Sequence, residues 1–152
     1  LSNLSAKMIS TILEKIEEGK IKRISQESKL VTFAKKMTKQ DGEINWSEKG
    51  EKIYNLIRGT TLYPGAFTSY KGKKLKITKA RFLGNDQNEV ELSSSIPGSV
   101  FKIEKESILI STGDKGIIKI FRLIPAGSKE LTASQFVNGY KIKVGDILGK
   151  HT

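Results

Sequence analysis

Leu1, Leu4, Met8, Ile12 and Ile16 recur at steps of three and four residues, and Ile9 and Leu13 widen the stripe. This spacing predicts an amphipathic helix over 1–18, with Gly19 as a left-handed stop after Glu17 and Glu18. A lone helix cannot bury such a stripe, so a packing partner is expected for it. Residues 20–43 are polar, lysine-rich and weakly periodic, and read as a linker with a turn at Asp41-Gly42. Ser47 is the expected cap of a second helix, whose apolar face is Ile53, Leu56 and Ile57 and whose stop is Gly59. Tyr63-Pro64-Gly65 predicts a turn.

From residue 65 the period changes to two. Strands are expected at 65–70, 73–83, 99–104, 107–112 and 117–124. Turn signals at Lys71-Gly72, Gly84-Asn85-Asp86, Pro97-Gly98 and Gly113-Asp114-Lys115-Gly116 separate them. In the second strand Leu75 and Ile77 share a face with Ala80 and Phe82 only if one extra residue intervenes, which is the sequence form of a β-bulge. Thr132 to Gln135 fits a capping box for a short helix stopped at Gly139. A last extended piece, Tyr140 to Leu148, is expected to close the sheet. Short antiparallel strands at this spacing predict a mainly β fold, a small OB-like barrel preceded by a helical arm. The expected domains are 1–19, 20–62 and 63–152.

Charge sharpens this picture. The 152 residues carry 27 Lys and Arg against 16 Asp and Glu, a formal net charge of +11. More than half of that excess lies in 71–82, which holds Lys71, Lys73, Lys74, Lys76, Lys79 and Arg81 and no acid. Such a run suits a polyanion, nucleic acid above all; it equally suits a lysine-protected edge strand. Hydrophobic residues make up 37%, enough for one modest core, and no run reaches the ~20 apolar residues of a membrane-spanning helix. No leader pattern opens the chain, so the cytoplasm is the expected compartment.

Catalytic chemistry has little to work with. There is no cysteine, which excludes a disulfide framework and a thiol nucleophile, and the one histidine, His151, is next to last. Phosphate loops, zinc-helix motifs and nucleophile elbows are absent. Gly113 to Gly116 reads as a hairpin turn, and Trp46 as a core anchor in preference to a base-stacking platform. Tyr63, Phe67 and Tyr70 flank the basic run, where they would either stack on bases or pack the barrel. The residues alone thus predict a small basic barrel with a helical arm that binds nucleic acid, with no metal and no catalytic group.

A family resemblance extends this reading. Phe33-Ala-Lys-Lys-Met-Thr-Lys-Gln-Asp-Gly-Glu-Ile-Asn-Trp-Ser47 resembles the linker signature of the formyltransferase family, and Ile53 to Arg58 its connecting helix. Tyr63-Pro64-Gly65-Ala66-Phe67 is similar to its W-P-G-A-Y/F turn, and Gly72 to Ile77 with Lys79-Ala80-Arg81 to its basic strand. Thr132 to Phe136, Asn138-Gly139, Val144-Gly145-Asp146 and Leu148-Gly149 continue the match in order. Asn45 stands where the family has Asp, Tyr63 where it has Trp, Gly59-Thr60-Thr61 departs from its pattern, and 84–98 is a polar insertion.

The resemblance implies a carboxy-terminal OB-like barrel, the linker, and the last helix of an amino-terminal domain. That other domain binds the co-substrate formyltetrahydrofolate and holds the catalytic groups, so 1–152 alone should be inactive. In the branch that formylates methionine on initiator tRNA, the barrel helps hold the tRNA. Lys35 and Lys36 match the basic linker pair. Lys73, Lys74, Lys76, Lys79 and Arg81 match the basic strand, and Lys71 completes the charge run. The expected partners are initiator tRNA, through its phosphates, and the amino-terminal domain in cis. The chain is expected to be a monomer that keeps off membranes. The alternatives are an accessory barrel of an enzyme formylating nucleotide-linked amino sugars, and a purely structural or protein-binding barrel.

Overall fold

The computed structural model describes residues 2–84 and 96–149. The chain divides into two units, Leu1–Lys35 and Lys36–Thr152. In the first, helix α1 spans Ser2–Glu17 and buries none of its side chains. Gly19 takes a φ of +65°, the left-handed stop its position predicts. A single 3₁₀ turn, Ser28–Leu30, interrupts the extended stretch that follows.

The second unit is a curled antiparallel sheet, half of a barrel, with two short α-helices among its described residues. Its strands are β1 (Phe67–Tyr70), β2 (Lys73–Phe82), β3 (Val100–Ile103), β4 (Ile108–Ser111), β5 (Ile117–Pro125) and β6 (Leu131–Thr132). They lie in the order β1-β2-β5-β4-β3, with β6 added to β5. The helices are α2 (Gly50–Gly59) and α3 (Ala133–Tyr140). The period-two reading therefore held for all five expected strands.

The phase slip is real and has a counterpart across the ladder. Ile77 pairs with Leu123, Lys79 with Arg122 and Ala80 with Ile120, so the register shifts on both sides of Lys79. Leu75 and Ile77 are buried before the slip, and Ala80 and Phe82 pack on the core after it. On β5 the same irregularity returns Ile120 and Leu123 to one face. One bulge in each strand bends the sheet without turning its apolar set outward. Ile108, Ile110, Ile118 and Ile120 then meet Phe136 of α3 and Ile53 and Ile57 of α2 in one core.

The open side of the barrel lies between β3 and β1, and irregular chain spans it. Val100 N–H donates to the Asp146 carbonyl at 2.7 Å and Gly145 N–H to the Val100 carbonyl at 2.8 Å. Leu148 N–H then donates to Gly98 at 2.9 Å and Gly149 N–H to Ser69 of β1 at 2.8 Å. The expected closing strand is thus a strap with one isolated bridge, Ser99 to Ile147. Gly145 and Gly149 have φ of +91° and +102°, which an extended strand does not allow.

Three helix-end expectations need correction. Ser47 does not cap α2. Asn45 Oδ1 instead accepts from Ser47 N–H at 3.1 Å, Lys49 holds the cap position without a side-chain bond, and Gly50 N–H donates to Asp114 Oδ1 at 3.0 Å. The cap therefore comes from the β4–β5 hairpin. Gly59 is the last residue of α2 and Thr60 its C-cap. The Thr132–Gln135 capping box is present, but α3 runs through Gly139 to Tyr140 and ends on Lys141 at φ +54°. The expected linker also ends early. Gly42, Ile44 and Trp46 are buried in alternation, and Ile44 N–H donates to Phe67 O at 2.8 Å, so 42–46 covers the free edge of β1. Most of the 84–98 insertion, and His151, lie outside the described residues.

Candidate nucleic-acid interface

The β1–β2 hairpin carries the charge run. Its register pairs Tyr70 with Lys73 and Phe67 with Lys76, which leaves Lys71-Gly72 as a two-residue loop. Both loop residues have positive φ, +49° and +73°, as the primed turns that match strand twist require. Beyond the turn, alternation sorts the cations. Lys74 and Lys76 stand opposite the buried Leu75 and Ile77, and Lys79 and Arg81 opposite the core-facing Ala80 and Phe82. The bulge thus holds four positive side chains on the outer face of one strand.

The other expected cations do not join that row. Lys73 has the parity of Leu75 and sits at the strand's first position, so it falls at the barrel end. Lys71 projects from the turn, with its Nζ 5.0 Å from the centre of the Tyr70 ring. Lys35 closes the first unit and Lys36 opens the second; both are exposed.

Neighbouring cations on β5 are neutralised, which sets the row apart. Lys119 Nζ lies 2.6 Å from Glu104, and Arg122 Nη1 3.0 Å from Glu130. The hydrogen bond from Lys119, then that from Ser107, holds the Glu104 carboxyl below its ordinary range. Thr78 Oγ1, donating at 2.6 Å, and then Arg122 do the same for Glu130. Among the described residues no ion pair engages Lys74, Lys76, Lys79 or Arg81. Lys74 Nζ instead rests 3.6 Å from the centre of the Phe67 ring. The Lys76 stem lies over Gly65, where a Cβ would run into Lys76 Cε.

The aromatic residues divide as well. Tyr70 is buried, and its hydroxyl donates to Asp146 Oδ2 at 2.7 Å. Burial first, then the bond to Asp146 and its charge, pushes the Tyr70 hydroxyl far above its ordinary value. Phe67 lies under Lys74. Tyr63 is exposed and free to meet a base. Trp46 is a core anchor, 4% exposed, with Nε1–H donating to Thr68 Oγ1 at 3.0 Å. Among the described residues no cluster of His, Cys, Asp and Glu is placed to hold a metal, and no helix is long and apolar enough to cross a membrane.

The family model for the formyl transferase C-terminal domain matches residues 36–141, and the chain belongs to that family. It is 34% identical over 151 residues to the methionyl-tRNA formyltransferase of Halalkalibacterium halodurans, covering 98% of this chain and 46% of that protein. It is 37% identical over 147 residues to the enzyme of the same name from Carboxydothermus hydrogenoformans, covering 96% and 45%. The chain spans about half the length of the curated relatives it matches. Among solved structures, HypX from Aquifex aeolicus in complex with tetrahydrofolic acid shares the fold. The TM-score is 0.60 at 20% identity, over 92% of this chain and 24% of that one.

Proposed function

We propose that this chain is the RNA-gripping portion of a methionyl-tRNA formyltransferase. It positions initiator tRNA while a separate amino-terminal domain, with formyltetrahydrofolate, formylates the methionine. One observation carries the reading: the bulge keeps Lys74, Lys76, Lys79 and Arg81 on one face, where no acid among the described residues pairs with them, while the flanking Lys119 and Arg122 are paired with carboxylates. Such a row meets a sugar–phosphate backbone and releases its counterions. It fixes position rather than sequence, so selection of the initiator species belongs elsewhere.

The test is filter binding of tRNA across a salt series. Four phosphate contacts imply a loss of roughly fifty- to 150-fold in affinity between 50 and 200 mM salt. Replacing Lys74, Lys76 and Lys79 by Ala together should flatten most of that dependence and weaken all tRNA species about equally. Glu130→Gln, which releases Arg122, should steepen it. A binding curve unmoved by the triple replacement overturns the reading. A salt-independent wild type would favour the nucleotide-amino-sugar alternative, whose small substrate needs no such row.

A further inference from the structure

Where the hairpin tip meets α3, a pocket of about 140 Å³ opens at the end of the barrel. Its floor and wall are apolar: Leu75, Pro125, Tyr70, Phe136 and Tyr140. Its rim carries Lys71 and Lys73; Lys74 also lines it, but its ammonium lies over Phe67 on the outer face. The ring wall is braced. Phe136 and Tyr140 stack with centres 4.6 Å apart at 22°, Tyr70 meets Phe136 edge-on at 5.8 Å, and Asp146 holds the Tyr70 hydroxyl. Lys73, the cation whose parity excludes it from the outer row, stands on this rim.

The geometry points to a seat for one unstacked nucleotide, the base against the aromatic and aliphatic floor and its phosphate on the lysine rim. Each half of the site argues against a simpler ligand. Inorganic phosphate has no use for the apolar floor, and a hydrocarbon has no use for two ammonium groups. The volume suits a single planar ring system, not a folded chain. Base–aromatic contact tolerates any base, because every base has a π-face. The inference rests on the RNA-binding reading above and deepens it: the outer row would hold a stem by its backbone, while the pocket takes an unpaired nucleotide of the same RNA. Free nucleotides share that chemistry, and the test separates the two sources.

The experiment is NMR titration of the whole chain with AMP, ribose 5-phosphate, inorganic phosphate and a short single-stranded oligoribonucleotide. AMP and the oligonucleotide should produce saturable shifts at Leu75, Phe136 and Tyr140, and ribose 5-phosphate should not. Tyr140→Leu, which keeps an apolar neighbour for Phe136, should weaken nucleotide binding about tenfold. Lys73→Ala, at an exposed side chain, should weaken AMP severalfold without moving the core signals of the free protein. No shift at the floor residues, or equal shifts with inorganic phosphate, overturns the pocket. Shifts with AMP but none with the oligonucleotide overturn the RNA source. A chain that keeps salt-sensitive tRNA binding while the floor stays silent loses this inference alone. One that seats the nucleotides yet ignores the Lys74, Lys76 and Lys79 replacements loses the backbone reading alone.

Discussion

Asp114 shows how one side chain can join distant parts of this fold. Its Oδ1 accepts from Gly50 N–H at the head of α2, from Thr112 Oγ1 and from Gly116 N–H, at 3.0, 2.7 and 3.2 Å. Burial, the largest influence, raises the carboxyl's pKa. The Thr112 hydroxyl and the Gly50 and Gly116 amides together outweigh it, so the folded value lies below the ordinary range. A depressed carboxyl adds stability above its unfolded pKa and loses it as pH falls through the folded one. Asp114→Ala should therefore cost about 1–2 kcal/mol near neutral pH, the usual loss for a cap with several donors. That gap should begin to narrow below about pH 4, where the unfolded carboxyl takes up its proton, and go on closing as pH falls through the lower folded value. Urea denaturation of both proteins at pH 7 and pH 3 checks this, and a gap that stays constant with pH refutes it. Asp114→Asn keeps an acceptor for Gly50 and should lose less. None of this was legible in the sequence. Ser47 had the right chemistry for a cap and the right spacing, but the hairpin 64 residues away supplies the bond.

At the scale of elements, the strands were readable because alternation and turn residues act locally. The bulge was readable as a broken alternation at Thr78-Lys79. The same logic applied to Lys73 would have placed it with Leu75, on the face away from Lys74 and Lys76; the density of lysines obscured this, and charge counting grouped all six cations. Tyr70 was ambiguous for a different reason. Its alternation with Phe67 is plain, but its hydroxyl is held by Asp146 in the strap, a tertiary contact with no local signal. The hairpin turn gives a prediction of its own. Lys71 has a φ of +49°, a region that costs an ordinary side chain about 1 kcal/mol and suits Asn better. Lys71→Asn should stabilise the protein by roughly 0.5–1 kcal/mol, read as a raised midpoint in urea, while leaving the outer row intact. A lowered midpoint would mean that the Lys71 contact with Tyr70 outweighs the backbone strain.

For the molecule as a whole, the apolar pattern of 1–18 and that of the barrel have different standing. The helix was predicted from its period and is present, yet none of its side chains is buried. The core, in contrast, runs from Ile44 to Leu148, and every buried residue in it belongs to the unit Lys36–Thr152. The sequence could give the helix its stripe but not the stripe its partner, because a partner is a property of packing. This difference makes the barrel's independence testable. If stability resides in the core drawn from Ile44 onward, a fragment of residues 36–152 keeps it, since that fragment contains every residue of the core. Its urea transition should remain cooperative, with a midpoint and slope close to those of the whole chain, because the slope follows the surface exposed on unfolding and that surface belongs to the barrel. The tRNA affinity carried by Lys74, Lys76, Lys79 and Arg81 should survive in the fragment with its salt dependence. A large drop in midpoint, or loss of the cooperative transition, would show that residues 1–35 help hold the barrel together.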